Sequence, residues 1–119
     1  MENEVKTWLS DIQQAIREIN LFLPDKKDFL KFRKDLKTKR AIERNIEIIG
    51  EAVGRILKVL PDLQLTNARK IVDTRNRISH GYDSVSDDII WAIVIRDISK
   101  LETEVAQLLA DNGGAAPII

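Results

Sequence analysis

The sequence contains no cysteine and only one histidine among its 119 residues. The lack of cysteine excludes disulfide bonds, thiolate metal sites and a cysteine nucleophile. A zinc site built on histidine would need ligands that the chain does not have. We therefore expect neither a bound metal nor a cofactor.

Long apolar runs and a surplus of one charge are also missing. No run approaches the roughly 18 apolar residues of a membrane span and no signal peptide opens the chain, so we expect a cytoplasmic protein with no membrane partner. Lysine plus arginine and aspartate plus glutamate total 19 each, for a net charge of zero, which argues against a uniform basic coat for nucleic-acid binding. Residues 25–44 nevertheless hold nine positive and four negative side chains. This stretch is either a solvated helix surface or a patch that binds a polyanion.

The pattern that is present is helical. Glycine and proline number only five and three, and apolar residues recur at steps of three and four. The pattern predicts helices over 4–22, 25–37, 38–60, 66–79 and 86–110, with Thr38 and Ser86 as the N-caps of the third and the fifth. We predict an all-α fold, an up-and-down bundle of four main helices plus a short one. The domain is expected to span 1–111, followed by a flexible tail over 112–119.

Two details of this pattern concern packing. Four side chains are expected to supply the apolar contacts of the short helix, namely Phe29, Leu30, Phe32 and Leu36. Gly50 and Gly54 lie four residues apart in the third helix, where each costs about 1 kcal/mol of helix stability relative to alanine. Their shared face indicates a close approach by another backbone, either within the chain or across a subunit interface.

Residues 75–82 read Arg-Asn-Arg-Ile-Ser-His-Gly-Tyr and hold the only histidine and the only tyrosine. Asn76 and His80 share a helix face, and Arg75 can converge on His80 if the helix ends there. Histidine can transfer a proton near neutral pH, and arginine can hold a phosphate through two hydrogen bonds. The pair suits metal-independent RNA cleavage by the ribose 2′-OH, in which His80 moves the proton and Arg75 stabilises the pentavalent phosphorus.

Other residues extend this candidate site. Asn76 would orient His80 or bond a phosphate oxygen, and three nearby cations would bind RNA phosphates, namely Arg69, Lys70 and Arg77. One histidine cannot be both acid and base in a single step, so a two-fold dimer placing two motifs in one cleft would supply the second. Each residue also has a plain structural interpretation: a helix cap for His80, an ion pair with Asp73 or Asp83 for Arg75, and a half-buried aromatic for Tyr82.

The chain at this motif resembles the HEPN superfamily, and within it the HepT-like toxins of bacterial and archaeal toxin–antitoxin systems. The family signature is an arginine, a polar residue, a short spacer, a histidine, one residue and a tyrosine, matched here by Arg75, Asn76, His80 and Tyr82. Two further stretches agree: 48–52 (Ile-Ile-Gly-Glu-Ala) preceded by Ala41 and Arg44, and Trp91 followed by Asp97 and Leu101. The resemblance covers roughly residues 4–110. Thr74 and Ser79 depart from it by replacing residues that are more often apolar, which we expect to loosen the packing behind the motif.

The resemblance implies a helical bundle that dimerises and brings two motifs together at a cleft. Active members are metal-independent ribonucleases that act on mRNA or tRNA. Their antitoxin is a small nucleotidyltransferase (MNT), which uses ATP to attach AMP to the motif tyrosine, here Tyr82. An anionic group so close to His80 would block the cleft and repel RNA phosphates. The same resemblance suggests Glu51 as a partner of the motif.

Two other functions stay open from the sequence. In one, the chain is a non-catalytic module whose basic helix end docks a nucleotide or the nucleotidyltransferase. The zero net charge and the 5% aromatic content favour it, because RNA-stacking platforms are scarce. In the other, the chain is the substrate-binding subunit of a two-component nucleotidyltransferase and contributes no chemistry. We rank the ribonuclease toxin first, since the arginine–histidine pair is intact.

Overall fold

The computed structural model describes residues 1–24, 28–80 and 85–112, and its regular structure there is entirely helical. The elements are α1 (Asn3–Phe22), α2 (Phe29–Lys34), α3 (Leu36–Val59), α4 (Ala68–His80), α5 (Asp87–Ala92), a π-helical turn (Ile93–Asp97) and α6 (Ile98–Asp111). The residues on either side of the π turn keep helical backbone angles, so residues 87–111 form one long helix. Over the described residues, the prediction of an all-α fold with four main helices and a short one is confirmed.

Helix α3 is the centre of the packing. It packs against α1, α4 and the short α2, and α1 in turn packs against α6. The predicted apolar stripes supply the core, including Ile12, Ile16 and Ile19 of α1, Ile46, Ile49 and Val53 of α3, and Ile98, Leu101 and Val105 of α6. Burying one such aliphatic side chain contributes about 1.5–3 kcal/mol, so these stripes hold the helices together. None of the helices in the described ranges is long and apolar enough to cross a membrane.

The short helix α2 differs from its prediction. Residues 25–27 of the predicted segment lie outside the described residues. The rings of Phe32 and Phe29 lie next to Trp91 of α5, with centroids 5.2 and 5.6 Å away. Leu30 and Leu36, which were predicted to supply apolar contacts as well, are 63% and 59% exposed. Only the face that carries Phe29 and Phe32, three residues apart, turns inward.

One predicted helix cap was also wrong. Helix α3 begins at Leu36, and its N-cap is Asp35 rather than Thr38. The Asp35 carboxylate accepts hydrogen bonds from the Thr38 hydroxyl at 2.6 Å and from the Thr38 backbone N–H at 3.0 Å, and these two bonds lower the pKa of Asp35. Aspartate and threonine are both good caps, so the sequence alone did not separate them. Ser86 caps α5 as predicted, accepting from the Ile89 N–H at 3.4 Å.

The π turn within the last long helix was not predicted. A π turn closes its hydrogen bonds over five residues instead of four and occurs mostly as a single turn within an α-helix. Here it buries Ile93, Val94 and Asp97. A carboxylate therefore enters the interior from the middle of an otherwise apolar stripe. Of the predicted tail, only Asn112 belongs to the described residues.

Candidate active site

Helix α4 carries the arginine–histidine motif at its C-terminal end. The helix runs to His80, which is its last residue and is exposed. Asn76 and His80 therefore share one face, as the spacing predicted. The inward face of α4 holds Ile71, which is fully buried, and Thr74. These two residues seat the helix on the core, and the motif side chains lie towards the rim.

Gly50 of α3 explains how closely α4 approaches. A Cβ atom built on Gly50 would overlap the Cβ of Arg75, and it would lie 2.8 Å from Arg75 Cγ and 3.2 Å from the Ile71 carbonyl oxygen. Any side chain at this position would therefore push α4 away. The close approach suggested by Gly50 is thus a helix crossing within the chain. Gly54 is different, because its nearest neighbour is Val72 Cγ2 at 4.0 Å.

The Arg75 side chain is anchored on one side only. Its Nη1 donates to Asn76 Oδ1 at 2.9 Å. Its Nε is buried and has no hydrogen-bond partner within the described part of the chain. None of the ion pairs found there includes Arg75, so the alternative pairing with Asp73 is not formed; Asp83 lies outside the described residues. A guanidinium with unused donors is suited to bind an anion.

Arg75 and Asn76 line a groove of about 350 Å³ between α3 and α4. The remaining lining residues come from both helices: Gly50, Glu51, Gly54, Arg55, Lys58 and Val72. Glu51, suggested above as a partner of the motif, therefore lies in the same groove. Its carboxylate accepts a hydrogen bond from Arg55 Nη2 at 2.7 Å. The groove thus brings motif residues of α4 together with charged residues of α3.

The two departures from the family pattern are accommodated locally. Thr74 is buried, and its hydroxyl donates to the Lys70 carbonyl oxygen at 2.8 Å, so no polar group of this side chain lacks a partner. Ser79 is exposed, and its hydroxyl donates to Glu47 of α3 at 2.8 Å. The second bond ties the C-terminal turn of α4 to α3, next to His80. These contacts do not indicate the looser packing that we expected from Thr74 and Ser79.

The N-terminal end of α4 is held by the fully buried Asp97 of the π turn. Asn67 Nδ2 donates to Asp97 Oδ1 at 2.6 Å, and Lys70 Nζ lies 3.5 Å from Asp97 Oδ2. Burial raises the pKa of Asp97, but the hydrogen bonds from Arg96 and Asn67 and the nearby Lys70 charge outweigh it, so the pKa is lowered overall. Asn67 has a left-handed backbone, with φ of 55°, a conformation that asparagine tolerates better than most residues.

The cations predicted to bind phosphate therefore differ in their surroundings. Arg69 and Arg77 are exposed. Lys70 is paired with buried Asp97, which gives it a structural contact besides the predicted one. Tyr82 lies outside the described residues, as do Gly81 and Asp83. The described residues contain no group of three or more histidine, aspartate or glutamate side chains placed to hold a metal.

Two sets of residues at the site were not predicted from the sequence. Arg55 and Lys58 lie about 20 residues before the motif, and only the α3–α4 crossing brings them to the groove of Arg75. Their signal was weak, because charged residues on the outer side of a helix are usually just solvated. Asp97 was noted for its agreement with the family, but its contacts with α4 depend on the π turn. A single carboxylate within an apolar stripe was the available clue.

We interpret the all-helical fold, with its arginine–histidine motif beside a basic groove, as that of a candidate nucleic-acid-processing protein. Comparison with known proteins identifies its family. The family described as "Ribonuclease HepT-like" matches residues 12–108. The chain belongs to this HepT-like family, within the HEPN superfamily.

Individual relatives agree with this assignment. The chain is 29% identical over 117 residues to "Putative RNase MJ0127" of Methanocaldococcus jannaschii, covering 95% of this chain and 93% of that protein. It is 31% identical over 112 residues to "Probable ribonuclease HepT" of Thermococcus cleftensis, covering 91% and 98% of the two chains. It is 34% identical over 82 residues to "Putative RNase TTE0752" of Caldanaerobacter subterraneus, covering 68% and 73%. No solved structure shows a significant match.

Proposed function

We propose that this protein is a metal-independent ribonuclease toxin that cleaves mRNA or tRNA and is neutralised by a nucleotidyltransferase antitoxin, which transfers AMP to Tyr82. One observation carries the proposal: a HepT-like chain retains Arg75, Asn76 and His80 together on α4, with Arg75 at a groove. The names of the relatives support ribonuclease activity. The toxin role and the modification of Tyr82 rest on the family resemblance.

The chemistry follows from these side chains. The 2′-OH of a ribose loses its proton to His80 and attacks the adjacent phosphorus. The new P–O2′ bond forms as the P–O5′ bond breaks, which leaves a 2′,3′-cyclic phosphate and a 5′-hydroxyl. Arg75, which lines the groove, stabilises the negative charge that builds up on the phosphate oxygens. Asn76 holds the Arg75 guanidinium through the 2.9 Å hydrogen bond.

A homodimer completes this proposal. The leaving 5′-oxygen needs a proton while the 2′-OH loses one, and the chain contains one histidine. A second copy related by a two-fold axis would bring its own His80 to the same cleft. One histidine then acts as base and the other as acid. Arg69, Arg77 and Lys70 are proposed to contact the RNA backbone around this cleft.

Expression of the chain beside its His80→Ala variant tests the catalytic role. We expect growth arrest and fragmented total RNA with the parent, and intact RNA with the variant, because removing a general acid–base typically lowers the rate about 10²–10⁴-fold. The readout is a denaturing gel of RNA from cultures with matched protein levels. Lys100→Ala, which changes an exposed residue of α6, is the control and should cleave like the parent.

Equal RNA breakage by the parent and His80→Ala would contradict the proposed chemistry. Intact RNA in every culture would favour the non-catalytic functions considered above. In that case, capture of the nucleotidyltransferase by the purified chain becomes the next measurement.

A further inference from the structure

The groove between α3 and α4 has an uneven charge. Its lining holds three cationic side chains, Arg55, Lys58 and Arg75, and one carboxylate, Glu51. Glu51 already pairs with Arg55 at 2.7 Å. No ion pair of Lys58 is found within the described part of the chain, and its side chain is exposed. The groove therefore presents a net positive charge to solvent, which favours an anionic occupant.

The three cationic side chains are spread along the groove and are not gathered at one point. Arg55 and Lys58 are three residues apart on α3 and are therefore neighbours on one helix face. Arg75 lies across the groove on α4, where Gly50 lets the two helices cross closely. The cations therefore continue from Arg75 along α3 in the direction away from His80, because Ser79 of α4 lies against Glu47 while Val72 lies against Gly54. An extended polyanion is a better match for this arrangement than a single compact anion.

Gly54 keeps the floor of the groove open, and no close neighbour among the described residues requires a glycine there. Gly54 lines the groove, and a Cβ atom there would meet only Val72 Cγ2, at the ordinary contact distance of 4.0 Å. Glycine is a poor helix former, so α3 would be more stable with a side chain at this position. Together with the cationic walls, the open floor is consistent with a groove that receives something from outside the chain.

We propose that this groove is a backbone-binding track for single-stranded RNA, in which Lys58 and Arg55 of α3 contact the phosphates next to the one held by Arg75. This inference rests on the proposed ribonuclease function, and it assigns part of the RNA contact to α3. Phosphate contacts position the strand and carry no base preference. The track therefore sets the register of the RNA against His80.

Binding of an uncleavable RNA by a Lys58→Gln variant tests the track. The probe is a fluorescent 12-nucleotide pool of random sequence in fully 2′-O-methylated RNA, which lacks the attacking hydroxyl. We expect the Kd at 50 mM salt to rise about fivefold, and the slope of log Kd against log salt to fall by about 0.7, the value for one lost contact to a single strand. Lys100→Gln is the matched control, because Lys100 is also exposed and lies on α6.

Binding and cleavage are measured independently, so failure of the track and failure of the nuclease chemistry are distinguishable. If the parent binds the probe and Lys58→Gln keeps the same Kd and salt slope, the track is refuted even when RNA cleavage depends on His80. If Lys58→Gln shows the expected change while no variant cleaves RNA, the track stands and the proposed nuclease chemistry fails. A parent that does not bind the probe at all overturns the track.

A second variant, Gly54→Leu, fills the groove. It tests whether the occupant of the groove is RNA or a second copy of the chain. We expect the Kd for the probe to rise at least tenfold, with an unchanged melting temperature or a higher one and the parent's sedimentation coefficient. If Gly54→Leu instead converts a parental dimer into monomers, the groove is a subunit contact and the proposal is wrong. Unchanged RNA binding by Gly54→Leu would also overturn it.

Discussion

Among single residues, Asp97 has the most unusual position. It is fully buried, and its Oδ1 accepts hydrogen bonds from Asn67 and Arg96 at 2.6 and 3.2 Å. Its Oδ2 forms no hydrogen bond within the described part of the chain but lies 3.5 Å from Lys70 Nζ. A buried charge is costly unless it is paired, and here the partners come mainly from the start of α4. Asp97 therefore fixes the helix that carries the motif.

An Asp97→Asn variant is expected to be less stable by about 2 kcal/mol at pH 7, because it loses charge-assisted hydrogen bonds. The pKa of Asp97 is lowered from its ordinary value of 3.8, so the stabilisation is fully present above that value and is lost as the pH falls through the folded-state pKa. The difference between parent and variant should thus shrink below about pH 4. Urea unfolding at pH 7, 5 and 3 measures it.

The control for this pH series is Asp73→Asn, which removes an exposed carboxylate from the outer face of α4. It should follow the parent at each pH. A stability loss in Asp97→Asn that does not change between pH 7 and pH 3 would show that packing, and not the charge, is responsible.

At the level of elements, the crossing of α3 and α4 decides the geometry of the site. Its closest point is Gly50, where the backbone of α3 meets Arg75 and the Ile71 carbonyl. The far end is held by the Ser79–Glu47 hydrogen bond at 2.8 Å. Because these contacts lie at Arg75 and next to His80, a small change in the spacing of the two helices moves both motif residues relative to the groove residues of α3.

A matched pair of alanine variants tests this crossing. Gly50→Ala should destabilise the protein by about 1–3 kcal/mol, because the new methyl group overpacks against Arg75. Gly54→Ala should stabilise it by up to about 1 kcal/mol, because the methyl group fits and alanine favours the helix. Melting temperatures of the two variants and the parent are compared. Equal shifts in one direction would contradict the assignment of the close approach to Gly50 alone.

Most of the helices could be predicted from the sequence, since their apolar stripes are long and regular. The start of α3 was not predicted, because Asp35 and Thr38 can both cap a helix and the folded chain shows that Asp35 accepts the bonds. The π turn was missed because it breaks the period of 3.6 residues for a single turn. At the site, the motif was visible as a local pattern, whereas Lys58 reaches its groove only through the packing of two helices.

At the scale of the whole molecule, the proposed modification of Tyr82 would regulate the ribonuclease activity. Tyr82 is placed by the sequence two residues after His80, so an AMP group there would put negative charge beside the motif and repel RNA phosphates. A Tyr82→Phe variant should remain toxic and escape neutralisation, because it lacks the hydroxyl that accepts AMP. Co-expression with the proposed nucleotidyltransferase antitoxin, scored by colony counts, measures this. His80→Ala serves as the non-toxic reference.

If the nucleotidyltransferase still neutralises Tyr82→Phe, control acts through binding of the two proteins and not through transfer of AMP to Tyr82. The intact mass of the co-expressed parent gives an independent measurement, since AMP transfer adds one nucleotide to the chain.

The π turn also determines how the chain tolerates changes in length. Each residue advances an α-helix by about 100°, so the π turn rotates everything after it relative to a regular helix. Deleting the exposed Ile95 would leave an ordinary α-helix with acceptable backbone geometry. Because a π turn holds one extra residue in about the rotation of an ordinary α-helical turn, the deletion would keep the buried stripe of α6, including Leu101 and Val105, in line with the stripe of α5. Homologous chains are therefore expected to tolerate the loss of one residue at this turn better than elsewhere in the helix.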